Sequence, residues 1–471
     1  MALRHILIAA VALATAGCSI GPDYVRPEAP VPAAWRTTAP DEAVTWPSPE
    51  WWRGFGSPTL DDYILRAQRN NTDIAGAAAR VLQAVARARI AGANLLPSLD
   101  AGADVARSYT GGGTGSGSGR GSQTRTSYSA SIAASYELDV WGRNRAALAS
   151  AEALVLSSRY DREAVALTIT ADVATLYFQI LELQDRLAIA RDNLANAEQV
   201  LAVVEARVAN GAASPLELAQ QRTVVANQRA SIPSLEQQLR QAENLLAVLL
   251  GEAPDAVAVP AGTLDAISIP TVAPGIPSEL LTRRPDIRNA EAQLIAANAD
   301  IKVARAALFP SIPLTGQAGF ESLALSSLFD SGGFFYSLFA GVTQPIFQGG
   351  RLSGQVDLTE ARYEELVQVY RQTVINAFSD VENALVAIRQ LDRQQALQEE
   401  AVEQAQLAFE LADARYRAGA VDLLTVLDAQ RTLFQARDQL VQIKSDRLQA
   451  TVSLFRALGG GWQDDVASGN D

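Results

Sequence analysis

The sequence predicts a mainly α protein with a small β part, built as two tandem repeats. Three observations predict it. Asp73 to Ser98 aligns with Asp286 to Ser311 at an offset of 213, with 11 of 26 positions identical. Two long apolar seams step alternately by three and four residues. Shorter runs alternate apolar and polar at every second position. The repeat takes precedence over the length prior, which would divide the chain into domains of about 150 residues.

Further correspondences extend the duplication. Val140-Trp141 corresponds to Ile346-Phe347. Arg207 and Gly211 match Arg415 and Gly419 at an offset of 208, and Leu250-Gly251 matches Leu458-Gly459 at the same offset. The first repeat spans 51–260 and the second 261–462, followed by a tail at 463–471. After short helices, the first repeat runs as a helix over about 72–96, a strand pair over about 98–140, a long helix over about 142–209 and a helix over about 214–251. The second repeats the order: about 285–309, 311–347, 350–417 and 421–458. Pro97 and Pro310 end the first helix of each repeat, because proline lacks a donor and clashes with the preceding turn.

Residues 1–17 read as a signal peptide. Arg4 is followed by an apolar run from Ile6 to Ala14, too short for a bilayer that needs about 20 residues. Ala16-Gly17 precede Cys18, the arrangement of a lipoprotein signal, although Thr15 stands where Leu is usual. Several lipid chains on Cys18 would anchor firmly where one would not. Residues 18–50 are proline-rich and aperiodic, an extended arm. No later segment reads as a transmembrane helix, so a membrane-spanning part must be a β-barrel.

The strands have the pattern such a barrel needs. Tyr128, Ala130, Ile132, Ala134, Tyr136, Leu138 and Val140 share one face. Ser127, Ser129, Ser131, Ser135, Glu137 and Asp139 share the other, with Ala133 the apolar exception. Leu314 to Phe320 and Phe334 to Val342 repeat the alternation. A half-buried strand of a soluble sheet shows the same pattern. Gly111 to Gly121 is a Gly/Ser loop at the strand tips. Four strands are too few to close a barrel, since small ones need about eight. Several chains must then share one.

The long helices carry coiled-coil seams. One is Ile169, Val173, Leu176, Ile180, Leu183, Leu187, Ala190, Leu194. The other is Tyr363, Val367, Tyr370, Val374, Phe378, Val381, Leu385, Ile388. Each helix would reach roughly 100 Å at 1.5 Å per residue. Gly211 and Gly419 break them where a hairpin reverses.

Composition excludes much chemistry. The 39 Lys plus Arg against 52 Asp plus Glu give a net charge of −13, a poor match to nucleic acid. The one His, one Cys and one Met are His5, Cys18 and Met1. Removal of 1–17 leaves no His for triad catalysis and few soft ligands for a metal. No catalytic residue, metal site or cofactor is assigned. An enzyme would have to work with carboxylates alone, and no carboxylate pair with glycosidase-like context is seen.

The chain resembles the outer membrane factor (TolC-like) family, in its NodT-type efflux lipoprotein branch. The resemblance rests on Cys18 to Tyr24 with Pro27, Pro30 and Trp35, on Trp51-Trp52, on Gly275 to Arg288 with Ala290-Glu291, and on Ala457 to Trp462. It covers essentially the whole chain. It implies a homotrimer: a 12-stranded β-barrel in the outer membrane continuous with a periplasmic α-helical barrel. It also implies an exit duct for a tripartite efflux system, partnered by a periplasmic adaptor and an inner-membrane transporter. The implied function is transport of small molecules, without catalysis. A type I protein secretion duct shares this architecture. A periplasmic coiled-coil adaptor lipoprotein is a further alternative, disfavoured by two hairpins each preceded by strands.

The resemblance also carries individual residues. Leu424, Asp428 and Arg431 match aperture positions and share one helical face by spacing. In a trimer Asp428 would form a carboxylate ring, Leu424 an apolar constriction, and Arg431 a tie to a neighbouring helix. An exposed i,i+3 ion pair accounts for Asp428 and Arg431 equally well. Tyr416 and Glu217 match a pair that locks the closed state in some relatives, but Val421 stands where those relatives have the Arg that joins it. Gly211 and Gly419 mark the adaptor-facing turns. Arg283 to Arg288 read as structural, with Pro285 and Asp286 opening a helix.

Overall fold

The computed structural model describes residues 20–36, 46–111, 123–272 and 275–463. Cys18, the segment before it, the C-terminal tail and most of the Gly/Ser loop lie outside the described residues. In chain order the main elements are α1 (Pro58–Asn70), α2 (Thr72–Ala93), β1 (Ser98–Thr110), β2 (Gln123–Glu137), α3 (Arg143–Ala209), α4 (Pro215–Leu250), α5 (Pro285–Ala306), β3 (Pro313–Ser322), β4 (Phe334–Ala340), α6 (Arg351–Arg417) and α7 (Leu423–Ala457). The protein is mostly helical with one small sheet.

Two compact units share the chain. One draws on Met1–Glu28, Arg80–Ser158 and Ala290–Tyr370; the other on Ala29–Ala79, Arg159–Asn289 and Arg371–Asp471. Each therefore takes segments from both halves of the sequence.

The first unit contains the sheet, ordered β1-β2-β3-β4 and antiparallel throughout. The register pairs Ala103 with Ala130, Ala130 with Phe320, and Phe320 with Phe334. It likewise pairs Ile132 with Ala318, and Ala318 with Tyr336. The apolar series of all four strands therefore falls on one face, because strand side chains alternate with period two. No second layer covers that face among the described residues. Leu338 is 83% exposed and Tyr336 72%. Among the described residues β1 and β4 are the edges, each with one unpaired side.

Local chemistry fixes the joints around the sheet. Asp139 accepts the N–H groups of Asn144 (3.0 Å) and Arg145 (2.9 Å) and so caps α3. Trp141 donates to the Pro310 carbonyl at 2.7 Å and packs on Phe309. In the arm, Arg26 makes a two-pronged pair with buried Glu291 at 2.6 and 2.7 Å. α2 and α5 end at Ala93 and Ala306, short of Pro97 and Pro310. Tight i→i−3 bonds from Leu96 to Ala93 and from Phe309 to Ala306 replace the last α turn. The residue before proline disfavours helix, so the helix stops earlier than the proline itself requires.

The second unit has an aromatic core. Trp51 stacks on Phe455 at 4.9 Å, and Phe55 lies 5.0 Å from Phe178. Trp35 is buried against Phe378 and donates to the Gly275 carbonyl at 2.6 Å. Arg284 is largely buried and binds Asp286 (2.7 Å), Asp380 (3.2 Å) and the Ala457 carbonyl (3.0 Å). Most of both predicted seams is buried, from Ile169 to Ala190 and from Val367 to Leu385.

One expectation is corrected. An 18-residue window within α3 reaches a mean hydropathy of 1.6 with few charges, long and apolar enough to cross a bilayer by composition. Just over half of it, 56%, is buried inside the protein. A helix enclosed on most sides by partners is apolar most of the way round, whatever solvent surrounds the protein.

Candidate functional site

The two turns that reverse the long helices are built alike. At the first, Ala212 N–H donates to the Arg207 carbonyl (2.7 Å) and Gly211 N–H to Val208 (3.0 Å). At the second, Ala420 N–H donates to Arg415 (2.9 Å) and Gly419 N–H to Tyr416 (2.9 Å). Gly211 and Gly419 take φ values of 71° and 75°, the left-handed region where glycine carries no Cβ penalty. Ser214 and Glu217 then open α4 with a capping box, and Asp422 opens α7 by accepting from the Thr425 N–H at 3.0 Å. The Thr425 hydroxyl, and after it that backbone bond, lower the Asp422 carboxyl below its ordinary value.

These turns share one apolar cluster. Val200 and Val204 of α3 pack with Ala412 and Tyr416 of α6 and with Leu423 and Val426 of α7. Across it, the Arg207 guanidinium lies over the Tyr416 ring, 4.4 Å from the centroid, and donates to the Tyr416 carbonyl. This contact joins the first hairpin to the second. The Tyr416 hydroxyl is buried with no hydrogen-bond partner. Burial pushes its pKa up, the Glu217 charge pushes the same way, and Arg207 opposes both.

The predicted residues separate into two groups. Tyr416 meets Arg207 directly, whereas Glu217 acts on Tyr416 only through its charge. The Glu217 carboxylate is engaged at its own helix start, accepting from the Ser214 N–H at 2.6 Å. Leu424, Asp428 and Arg431 lie together along a groove of about 370 Å³ between α4 and α7, opposite Val224, Asn227 and Gln228. Leu424 is 64% exposed. Asp428 accepts from Arg431 at 2.6 Å, an i,i+3 pair with both side chains about two-thirds exposed. Within the chain Arg431 therefore binds its own helix. The residue that sequence reasoning passed over is Arg207. Its signal is present, since Arg207 and Arg415 stand at equivalent places before the two glycines, but among the described residues only the first meets an aromatic ring.

Among the described residues no group of three or more His, Cys, Asp or Glu side chains could hold a metal ion. What the arrangement can do is mechanical and electrostatic: a cross-linked pair of hairpin ends beside a carboxylate-bearing groove.

A sheet whose apolar face is uncovered among the described residues, in a chain whose other main elements are long helical hairpins, fits the class of membrane channels. The outer membrane efflux protein family model matches twice, at residues 64–252 and 276–460, and the chain belongs to that family. The protein is an outer-membrane efflux channel, and the family is not one of enzymes. Among its relatives is the pyoverdine export outer membrane protein OpmQ of Pseudomonas putida, 44% identical over 465 residues, covering 98% of each chain. The cation efflux system protein CusC of Escherichia coli K12 is 34% identical over 457 residues, covering 96% of this chain and 98% of that one. A crystal structure of CusC matches with a TM-score of 0.85, at 33% identity over 94% of this chain and 100% of its own. A membrane protein from Pseudomonas aeruginosa matches with a TM-score of 0.87, at 35% identity over 94% and 98%.

Proposed function

We propose that three copies of this chain form the outer-membrane exit duct of a tripartite pump. Each copy supplies four strands to one 12-stranded barrel and its hairpins to a periplasmic helical tunnel. The two-fold match of the family model supports reading the chain as two repeats, each contributing a strand pair and a hairpin. The single observation that carries the trimer is the sheet. Among the described residues it has four strands, an uncovered apolar face and two open edges, whereas a closed barrel needs about eight strands or more. An even strand count lets β4 of one copy meet β1 of the next antiparallel. A periplasmic adaptor would dock near the Gly211 and Gly419 turns, and an inner-membrane transporter would supply the energy. Of the cargoes named for relatives, residue content favours small organic molecules over metal cations. Beyond Cys18 the chain has no His, Cys or Met to pass a soft metal along.

The test is the oligomeric state in outer-membrane extracts, read by cross-linking and by heat-resistant migration on gels. A trimer in the outer-membrane fraction is expected, and Cys18→Ser should weaken its membrane retention by removing the lipid. A soluble monomer or dimer, indifferent to Cys18, would end the duct reading.

We further assign Leu424, Asp428 and Arg431 to the periplasmic aperture, with Tyr416 and Glu217 behind it. Threefold symmetry would turn one Asp428 into a ring of three carboxylates, which attracts cations. Asp428→Ala should weaken cation block or raise single-channel conductance in planar bilayers. Unchanged block and conductance would remove Asp428 from the gate.

A further inference from the structure

The connection between β3 and β4 differs from an ordinary surface loop. From Ser322 to Phe329 it carries no charge. It is also tightly built. The Ser322 and Ser327 hydroxyls hydrogen-bond at 2.7 Å, and Ala324 N–H donates to Ser322 Oγ at 3.3 Å. Gly333 N–H donates to the Asp330 carbonyl at 2.9 Å, and Leu328 is buried beneath. Yet Leu323, Leu325 and Phe329 are 60%, 66% and 73% exposed.

The direction of the loop is readable. Phe329 stands edge-on to Phe320 at 5.6 Å, and Phe320 stands edge-on to Phe334 at 5.7 Å. Phe320 pairs with Ala130 and Phe334 in the ladder, so it belongs to the apolar face. Glu321, the next residue, points to the opposite face by strand alternation. The loop is therefore fastened on the apolar side of the sheet. An ordered, exposed apolar cluster marks an interaction surface. Aromatic rings at the end of a membrane strand suit the boundary between headgroups and acyl chains.

We propose that the β3–β4 loop is a lipid-docking element, seating Leu323, Leu325 and Phe329 among the acyl chains of the leaflet at that end of the strands instead of closing over the channel mouth. The inference rests on the reading that the apolar face of the sheet meets lipid. Continuity with that face is what selects lipid as the occupant.

A spin label tests it on the full-length protein in phospholipid liposomes. Cys18 is the only native cysteine, so Phe329→Cys gives one new attachment point, with the unsubstituted protein as control. Collisions with oxygen, which concentrates in lipid, are compared with collisions with a water-soluble nickel chelate. Leu338→Cys and Gln317→Cys provide references on the apolar and polar faces. The expected result is a label at 329 that behaves like one at 338, with the oxygen-to-nickel ratio several-fold above that at 317. Nickel preference at 329 with oxygen preference at 338 overturns the proposal and leaves the sheet reading intact. Nickel preference at 338 overturns both. A label at 329 shielded from both reagents means that a neighbouring copy covers the loop, which also overturns it. Leu325→Cys carries the same comparison if Phe329→Cys does not assemble.

Discussion

Arg207→Ala raises the time-averaged conductance of the reconstituted channel several-fold, with the assembly intact: this is the expected result of removing the contact between the two hairpin ends. Arg207 contributes a cation–π contact to Tyr416 and a hydrogen bond to its carbonyl. Together they are worth about 1–3 kcal/mol when partly shielded from water. A contact of that size that is made in the closed state and lost in the open one moves a closed-to-open equilibrium by about 5- to 150-fold. Arg207→Lys keeps the charge but loses the planar fork that spans ring and carbonyl, so an intermediate conductance is expected. Planar-bilayer recordings of the three proteins check this. Conductance in Arg207→Ala equal to that of the unsubstituted channel would show that the hairpin ends are held elsewhere.

Gly459→Ala is expected to lower thermal stability strongly, whereas Gly419→Ala lowers it modestly. Both glycines have positive φ, 86° and 75°, and a side chain there costs about 1–2 kcal/mol. Only Gly459 is also crowded, because a Cβ on it would lie 2.1 Å from the Arg283 carbonyl oxygen. Relieving such an overlap in a packed region costs about a further 1–3 kcal/mol. The shift would also disturb Arg284, which holds the Ala457 carbonyl and two carboxylates. At Gly419 nothing lies within 4 Å of the added atom. Melting followed by circular dichroism and by the loss of the heat-resistant band compares the two. Equal melting would mean that the close approach at Gly459 relaxes freely.

Much of the local structure is visible in the sequence because it is periodic. The alternation from Ser127 to Glu137 marks a strand, since side chains on a pleated backbone must alternate. The seam from Ile169 to Leu187 marks a packed helix for the corresponding reason. Gly211 and Gly419 stand out because few other residues tolerate their φ. What was not legible depends on pairs distant in the chain. Arg207 and Arg415 look alike in their repeats, and only the meeting of two hairpins gives one of them an aromatic partner. Glu217 could face Tyr416 or cap its own helix with Ser214, and no sequence pattern chooses between them. The apolar window in α3 is as hydrophobic as a membrane span, and sequence alone does not distinguish cover by protein from cover by lipid.

The open edges of β1 and β4 have a thermodynamic consequence. In the proposed barrel their unpaired N–H and C=O groups find partners on another copy, so part of the folding free energy would belong to no single chain. In the proposed assembly the amount of native state at equilibrium scales with the cube of the free-chain concentration, and dilution acts on it as a denaturant does. A melting temperature for this protein then has meaning only alongside the concentration at which it was measured.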